Sequence, residues 1–215
     1  MSEKILQQGA EALIILNKGS VTKRRIKKGY RLLEIDEEIR KLRTRSEGKL
    51  LEKASKFVNI PKVKNINEKT KEIVMEFIQG KKLSDHLDSF SLDKQKEICR
   101  QIGESVAALH DADIIHGDLT TSNMIYVHND KSDKKKRGDK IFFIDFGLGF
   151  HSLKAEDKAV DIHLLRQALE AKHFKHWKDL FEEFLKGYSA SKHDSLVRSQ
   201  FKKVPSPFIA VNIRF

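Results

Sequence analysis

The chain contains two short apolar segments that each end in a polar turn with a carboxylate, and these two segments most constrain its fold and chemistry. Residues 114–123 read IIHGDLTTSN, and residues 141–147 read IFFIDFG. The β-branched and aromatic residues at 141–144 favour a strand. The sequence therefore predicts one polar turn that carries Asp118 and Asn123 and a second, after a strand, that carries Asp145.

The spacing of these polar residues is that of a phosphoryl-transfer site. Asp118 and Asn123 are five residues apart, as are the Asp that accepts a hydroxyl proton and the Asn that binds a metal ion in kinase catalytic loops. Asp145 follows a predicted strand and precedes Phe-Gly, the placement of the Mg²⁺-binding carboxylate. Asp and Asn also cap turns without any catalytic role, but two motifs in this order favour phosphoryl transfer.

The apolar pattern changes from strand-like to helix-like along the chain. Short apolar stretches around 12–22 and 73–78 predict strands, with a hairpin turn at 17–20. Between them, apolar residues recur every three or four positions over 35–54, which predicts a long amphipathic helix. The pattern after the second strand region is mostly helical, and Asp93 is the predicted cap of the first long helix there.

This element order predicts an α+β protein with two lobes. Residues 1–79 are expected to form a small β-rich lobe with one long helix, residues 80–195 a reduced helical lobe, and residues 196–215 a basic tail. Four aromatic residues at helical spacing are predicted to lie in the core: Phe174, Trp177, Phe181 and Phe184.

Charge and cysteine content narrow the classes of partner and compartment. The 42 Lys and Arg residues against 31 Asp and Glu give a net charge of +11, which favours an anionic partner such as nucleic acid, a nucleotide or an acidic protein surface. A single cysteine, Cys99, excludes an intramolecular disulfide framework and a cysteine-rich zinc module. Without an apolar run of about 18 residues or a signal-peptide core, the chain is expected to be soluble and intracellular.

Five sequence blocks together resemble the small atypical kinase subunit of the KEOPS/EKC complex, also called the p53-related protein kinase family (Bud-type). They are 8–12, 28–31 with 43–47, 116–123, 144–148 and 156–161. The resemblance implies a two-lobed protein-kinase-like fold, ATP and Mg²⁺ as cofactors, and support of threonylcarbamoyl-adenosine formation on tRNA. It also implies partners, namely the tRNA-threonylcarbamoyl transferase subunit, a small regulatory subunit and tRNA, and a cytoplasmic and nuclear location.

In the first lobe, the resemblance implies a lysine that contacts the α- and β-phosphates of ATP and a glutamate that orients it. Lys23 takes the first role and Glu47, on the apolar side of the long helix, takes the second. The alternatives are that Lys23 is solvated like its basic neighbours and that Glu47 is an ordinary surface glutamate.

The resemblance also assigns nucleotide-contacting backbone to two places. Gly9 and Ala10 belong to the loop over the phosphates, while Glu76, Phe77 and Ile78 belong to the strap that holds the adenine.

The remaining roles fall in the second lobe. Asp118 is the catalytic residue, Asn123 and Asp145 bind the metal, and Asp161 is a buried acceptor that supports the catalytic loop.

The chain departs from ordinary protein kinases in ways that bear on its substrate. The phosphate loop has one glycine instead of three, and Gly117 stands where most kinases carry an arginine that receives a phosphorylated activation loop. The stretch 147–156 is short and lacks an Ala-Pro-Glu block, so the peptide-docking surface is expected to be missing. ATP hydrolysis that serves a complex is therefore at least as strongly predicted as serine/threonine phosphorylation.

The sequence also contains basic segments and leaves two alternative functions open. The family's Arg-Gly-Arg-Lys-Arg tail is absent, and the basic loop at 134–137 is a solvated loop, a charge patch for tRNA or a nuclear import signal. One alternative function is a kinase-like scaffold that binds tRNA and partner proteins. The other is a small-molecule kinase of the aminoglycoside or choline type, which the Asp-Phe-Gly motif disfavours.

Overall fold

A computed structural model of the protein describes residues 4–129 and 138–203. The chain divides into two units, Met1–Gln79 and Gly80–Phe215. The first is built on a sheet with one long helix and the second is mostly helical, which confirms the α+β class. No helix within the described residues combines the length and the apolar character needed to span a membrane.

An antiparallel sheet forms the body of the first unit. Its strands are β1 (Lys4–Gln8), β2 (Ala12–Asn17), β3 (Ser20–Arg25), β4 (Val63–Asn67) and β5 (Glu72–Glu76), in the order β1-β2-β3-β5-β4. The predicted turn between β2 and β3 is present, with Lys18 and Gly19 at φ 46° and 72°. Two consecutive residues with positive φ match the twist of the flanking strands, which is why this turn connects them tightly.

The long helix α1 (Leu33–Ala54) presents an unusually polar stripe to the interior of the first unit. Leu50, Leu51 and Ala54 are buried as the periodicity predicts, but Thr44 and Glu47 are buried with them. A Cβ on Gly48 would collide with Ile66 of β4, so the absence of a side chain lets the helix approach the sheet closely. This close approach positions Glu47 against the strands.

The prediction of an apolar face on α1 is wrong in part. Ile35 and Leu42 are each 52% exposed, although both fit the apolar repeat. The positions that α1 buries near its start include Asp36, whose carboxylate accepts a hydrogen bond from Arg40 Nε at 2.7 Å. A buried carboxylate with cationic partners takes the place of apolar packing at this end of the helix.

Helices make up most of the second unit: α2 (Leu83–His86), α3 (Leu92–Asp111), α4 (Ala155–Lys172), α5 (Trp177–Tyr188) and α6 (Asp194–Lys203). The cap of α3 is Ser91, whose hydroxyl accepts from the Lys94 amide, and the predicted cap Asp93 lies one residue inside the helix. The aromatic core is partly as predicted: Phe181 and Phe184 are buried, Trp177 is half-buried, and Phe174 is 77% exposed. Phe174 is exposed because it falls in the turn after α4 and not on a helix.

Short strands in the second unit bring the two polar turns together. β6 (Lys81–Lys82), β8 (Met124–Val127) and β9 (Lys140–Phe143) form one small sheet, while β7 (Ile114–Ile115) pairs with β10 (Phe150–His151). In the β8–β9 ladder Met124 lies opposite Phe143. The residues just before β8 and just after β9 are therefore neighbours.

The segment expected to be a tail begins inside a packed helix. Val197 of α6 is fully buried, and the ring of Phe201 stacks on His163 of α4 with centroids 4.0 Å apart. Residues 196–203 thus belong to the helical unit, because the apolar side of α6 needs α4 to cover it. Residues 204–215 and the basic loop at 134–137 lie outside the described residues.

Candidate functional site

A buried cluster of three charged side chains lies in the first unit. Lys23 Nζ is 2.7 Å from Glu47 Oε1, and Arg25 Nη2 is 2.5 Å from Glu47 Oε2. All three side chains are almost completely excluded from solvent. Ion pairs are strong where water is excluded, but only while every charge keeps a partner. The sequence-predicted pair of Lys23 and Glu47 is therefore in place, and Glu47 is shared with a second cation.

Arg25 is a member of this cluster that the sequence reasoning missed. It stands among several basic residues that look alike in the sequence. Side chains alternate between the two faces of a strand, so Lys23 and Arg25 of β3 share a face while Arg24 points to the other. Arg24 lies partly in solvent and pairs with Glu72 at 2.5 Å. Strand periodicity was the signal that would have identified Arg25.

The turn between β1 and β2 contains the predicted phosphate loop. The Gly9 amide donates to the Ala12 carbonyl at 2.9 Å, and Lys28 Nζ donates to the Ala10 carbonyl. Glu11 Oε2 lies 3.0 Å from Arg43 Nη1. Gly9 and Ala10 are both exposed. Surrounding charges thus anchor an exposed turn that has only one glycine.

The predicted adenine strap follows directly from β5. The Glu76 amide donates to the Lys62 carbonyl at 2.9 Å, and the Phe77 amide donates to the Gly19 carbonyl at 3.3 Å. Glu76 and Phe77 are exposed, whereas Ile78 is 9% exposed. The amides of Glu76 and Phe77 already have protein partners, so an adenine would have to be recognised by other backbone groups of this segment.

The catalytic turn in the second unit is closed by one amide side chain. Asn123 Nδ2 donates to both the main-chain carbonyl and Oδ2 of Asp118, at 2.9 and 2.8 Å. The Ile144 amide donates to the Asn123 carbonyl at 3.0 Å. Because both hydrogens of the Asn123 amide point to Asp118, its Oδ1 atom is the group oriented away from the turn. The turn thus fixes Asp118 and Asn123 relative to each other.

Asp145 has a backbone conformation that is uncommon for a residue with a side chain. Its φ is 61°, and its Oδ1 accepts from the Gly147 amide at 3.1 Å. Such conformations cost free energy and concentrate at functional sites. The side chain of Asp145 lies at the surface, beside the end of β8 that begins after Asn123.

The donor chemistry of Asp145 and Asn123 fits Mg²⁺. Carboxylate and amide oxygens are the hard ligands that this ion prefers, and it is commonly held by one or two carboxylates together with substrate phosphates and water. Among the described residues, no group of three or more His, Cys, Asp or Glu side chains is placed to hold a metal ion by itself. A site of this kind therefore suits a nucleotide-bound Mg²⁺ better than a permanent structural ion.

The carboxylate of Asp161 in α4 holds the catalytic turn by hydrogen bonds, as the family resemblance implies. Its carboxylate is 1% exposed and accepts the amides of His116 and Gly117 at 2.7 and 2.8 Å. The same carboxylate lies 3.4 Å from His110 Nε2. Two fixed amide donors hold the carboxylate, so the position of the turn is tied to the helix.

The ring of His116 joins the two polar turns. Its Nδ1 accepts from the Asp118 amide at 3.3 Å, so Nε2 carries the proton and donates to the Ile144 carbonyl at 3.1 Å. The ring packs on Phe146 with centroids 4.4 Å apart. Burial lowers the pKa of His116, against the opposing effect of the nearby carboxylates. The neutral imidazole is therefore a structural bridge between the turns.

Gly117 is required by the geometry of the catalytic turn. Its φ is 79°, and a Cβ at this position would collide with the Leu148 carbonyl oxygen. Glycine, which lacks a Cβ, adopts this φ readily and fits beside the Leu148 carbonyl, whereas a residue with a side chain does not.

His173 is a second residue that the sequence reasoning missed. Its Nδ1 is 2.9 Å from Asp88 Oδ1 and its Nε2 is 3.2 Å from Thr121 Oγ1, in the loop that closes on Asn123. No local sequence signal marks it, because its partners are 85 and 52 positions away.

Comparisons with known proteins identify the fold. The family model described as the protein kinase domain matches residues 11–163. The fold is similar to the Rio2 kinase–ADP/Mg²⁺–phosphoaspartate complex from Chaetomium thermophilum, with a TM-score of 0.61 and 13% identity over 94% of this chain and 71% of that chain. It is also similar to WaaP in complex with acyl carrier protein, with a TM-score of 0.62 and 12% identity over 94% and 87% of the two chains. The two-lobed protein-kinase-like fold is confirmed, and the match to the protein kinase domain together with the curated relatives supports a phosphotransferase of the kinase or ATPase type. This fold implies ATP binding.

The curated relatives place the chain more narrowly. It is 42% identical to the KEOPS complex subunit Bud32 of Pyrococcus abyssi, over 86% of this chain and 84% of that protein. It is 38% identical to the EKC/KEOPS complex subunit BUD32 of Encephalitozoon cuniculi, over 89% and 88%. The chain belongs to the Bud32 family of KEOPS complex subunits.

A longer class of relatives contains this domain as one part. The chain is 39% identical to the probable bifunctional tRNA threonylcarbamoyladenosine biosynthesis protein of Methanococcus vannielii, over 93% of this chain but 35% of that protein. The chain thus spans about a third of the length of these bifunctional relatives.

Proposed function

We propose that the protein is an ATP- and Mg²⁺-dependent serine/threonine kinase or ATPase that supports threonylcarbamoyl-adenosine formation on tRNA within the KEOPS complex. The observation that carries the proposal is the Asp118–Asn123 turn, hydrogen-bonded at 2.8 Å and set beside Asp145 by the β8–β9 ladder. A protein that served only as a scaffold would not need to retain this arrangement of side chains.

Each residue then has a defined task. Asp118 accepts a proton from the attacking hydroxyl group or water. The side-chain amide of Asn123 orients the Asp118 carboxylate. Asn123 Oδ1 and Asp145 hold Mg²⁺, which neutralises charge on phosphate oxygens when it is bound. Lys23 supplies a positive charge for the phosphates, and Glu47 positions it.

The chain favours water or a group on a partner protein, rather than a free peptide, as the acceptor of the phosphoryl group of ATP. Between Gly147 and the start of α4 at Ala155, the chain contains only a short connection that includes β10. Ordinary kinases place a long activation segment here, which receives the peptide substrate. Regulated ATP hydrolysis is therefore the favoured form of the activity.

The proposed partners are the tRNA-threonylcarbamoyl transferase subunit, a small regulatory subunit and tRNA, in the cytoplasm and nucleus. The names of the Bud32 and bifunctional relatives support the first of these partners. The net charge of +11 supports tRNA, because phosphate backbones attract basic surfaces.

ATP turnover by an Asp145→Asn variant tests the activity. We expect a loss of about 100-fold or more, because the variant removes a charged oxygen ligand from the site. The matched control is Asp93→Asn, which changes an exposed carboxylate in the first turn of α3 and should leave turnover unchanged. Equal turnover in the wild type and Asp145→Asn would contradict the assignment.

Affinity purification of the full chain from its native cell tests the assembly. Recovery of other KEOPS subunits is expected, and recovery of none would contradict the proposed role. If the complex assembles but the wild type turns over no more ATP than Asp145→Asn, the protein acts as a kinase-like scaffold that binds tRNA and partner proteins.

A further inference from the structure

The turn between α4 and α5 carries an unusual mixture of basic and aromatic side chains. Residues 172–178 read KHFKHWK, with a lysine at every third position and no acidic residue. The two aromatic residues, Phe174 and Trp177, lie between these lysines. The proposed phosphotransfer chemistry uses none of these residues.

This turn is held firmly although it lies at the surface. His173 is 1% exposed and is fixed between Asp88 and Thr121. Its amide also donates to the Leu169 carbonyl at 2.8 Å, and the His176 amide donates back to the His173 carbonyl at 3.2 Å. With the backbone fixed on its inner side, the turn presents a preformed outer surface.

Phe174 forms the apolar centre of that surface. Its side chain is 77% exposed, while the neighbouring Lys172 and Lys175 are exposed as well. An aromatic ring that stays in solvent forgoes the free energy that burial would contribute. An exposed ring on a fixed stretch of backbone, with cations on both sides along the chain, is suited to stacking on another planar group.

Two further cations are gathered around Trp177. Arg166 Cζ lies 5.6 Å from the centre of its ring, and Lys178 Nζ lies 5.7 Å from it. The nearest acidic side chain along α5, Asp179, is paired with Lys96 at 3.4 Å. Asp88 lies beside the turn with its side chain 59% exposed, and its Oδ1 is 2.9 Å from His173 Nδ1. The surface thus carries four cations, Arg166, Lys172, Lys175 and Lys178, against the nearby exposed carboxylates of Asp88 and Glu170, so its positive charge exceeds the negative charge around it.

We propose that this surface, formed by Arg166 and residues 172–178, binds an unpaired segment of RNA. Phe174 stacks on one base, and Lys175, Lys178 and Arg166 contact the flanking phosphates. Proteins that bind single strands combine a stacking aromatic ring with a positive path for the backbone. An acidic protein surface is a poorer match, because it would leave the ring of Phe174 without an apolar partner. The inference rests on the proposed function for one point, the expectation that the RNA is a tRNA.

Binding of the full chain to a tRNA transcript and to a short single-stranded RNA tests this surface. Base stacking on an aromatic ring contributes about 1–3 kcal/mol, so Phe174→Ala should weaken binding about 5- to 150-fold. Phe174→Tyr should retain affinity, while Phe174→Leu, which is apolar but cannot stack, should resemble the alanine variant. The matched control is Leu153→Ala, which truncates a different exposed apolar side chain. Leu153 is 82% exposed, and its loss should have no effect on RNA binding.

The charge contribution is tested by the salt dependence of the same binding. Lys175→Glu should reduce the slope of log affinity against log salt by about 0.7, the value for one phosphate contact to a single strand. Lys18→Glu makes the same change of net charge on the exposed β2–β3 turn of the first unit and should leave the slope nearly unchanged.

The results separate this inference from the proposed function. If the wild type binds neither RNA, or if Phe174→Ala binds as tightly as the wild type, the inference is overturned. Retained affinity in Phe174→Leu also overturns it, since that result indicates an apolar docking surface. ATP turnover by Phe174→Ala should equal that of the wild type, so a failure here leaves the Asp145→Asn test of the proposed function unaffected.

Discussion

Glu47 in the first unit and Asp161 in the second are both buried carboxylates, but they are stabilised by different kinds of group. Glu47 is 2% exposed and is paired with two cationic side chains, Lys23 and Arg25. Asp161 is 1% exposed and accepts two backbone amides, those of His116 and Gly117. A buried charge requires partners in either case.

The difference teaches what each carboxylate can do. The partners of Glu47 are long side chains that can change position, so Lys23 can move while Arg25 still neutralises Glu47. The partners of Asp161 are parts of the main chain, so the carboxylate and the catalytic turn form one rigid unit. The first arrangement would allow Lys23 to reach a phosphate in the proposed function, and the second preserves the geometry of the turn.

The largest expected effect comes from Glu47→Ala, which leaves two buried cations without their carboxylate. Breaking a buried ion pair in this way costs about 3–5 kcal/mol. The free energy of unfolding, measured by denaturant titration, should fall by this amount. Glu52→Ala, an exposed glutamate on the same helix, is the control, and an equal loss in both variants would contradict the special role of Glu47.

Asp161→Asn should have the next largest effect. The substitution keeps the shape of the side chain but removes the charge and turns an NH₂ group toward backbone amide donors. Losing one charged hydrogen bond costs about 1.5–3 kcal/mol, and ATP turnover should fall with it because the turn loses its support. Glu156→Gln on the exposed side of α4 is the comparison. Unchanged turnover in Asp161→Asn would show that the turn holds its geometry without this carboxylate.

Arg25→Met sharpens the comparison, because it leaves Glu47 with Lys23 alone. We expect a loss of unfolding free energy of about 1 kcal/mol. Lys23 would then be held more tightly by Glu47, so KM for ATP should rise about 5-fold with a smaller change in kcat. Arg24→Met is the control, since Arg24 pairs with Glu72 on the other face of β3. A change in kcat alone would argue against a positioning role for Arg25.

A further expected effect concerns the pH dependence of stability, namely the acid sensitivity of the second unit. Burial lowers the pKa of His116, so the native state keeps the ring neutral while the unfolded chain takes up a proton near pH 6.5. The unfolded state therefore binds more protons as the pH falls below that value, and the free energy of unfolding decreases by at most about 1.4 kcal/mol per pH unit. Measured between pH 7 and pH 5, this slope should be smaller in His116→Gln than in the wild type.

His86→Gln, which changes an exposed histidine, is the control. His163 contributes to the slope in the same direction, because burial lowers its pKa as well. An identical slope in His116→Gln and the wild type would assign the acid sensitivity to other groups.

The parts of the fold that sequence reasoning recovered were those with local signals. The strand before Asp145 follows from its β-branched and aromatic residues, and the pairing of Lys23 with Glu47 was implied by the family resemblance. Ser91 and Asp93 are both good capping residues, so residue type alone did not identify which of them caps α3. The role of His173 depends on residues that only the folded chain brings together.

Phe174 shows a different limit of prediction. Its spacing to Phe181 and Phe184 fits a helix, and apolar periodicity alone places it in the core. The end of α4 at Lys172 interrupts that periodicity before Phe174 is reached. Errors in element boundaries thus turn an exposed functional candidate into an apparent core residue.

The close contact between Gly117 and the Leu148 carbonyl has a consequence for regulation. The obstacle to a side chain at position 117 is main chain, which cannot move aside as a flexible side chain could. A single mutation to the arginine of ordinary kinases would therefore have to displace the segment around Leu148. The residue that receives a phosphorylated activation loop in ordinary kinases therefore cannot be introduced at this position without a rearrangement of the main chain.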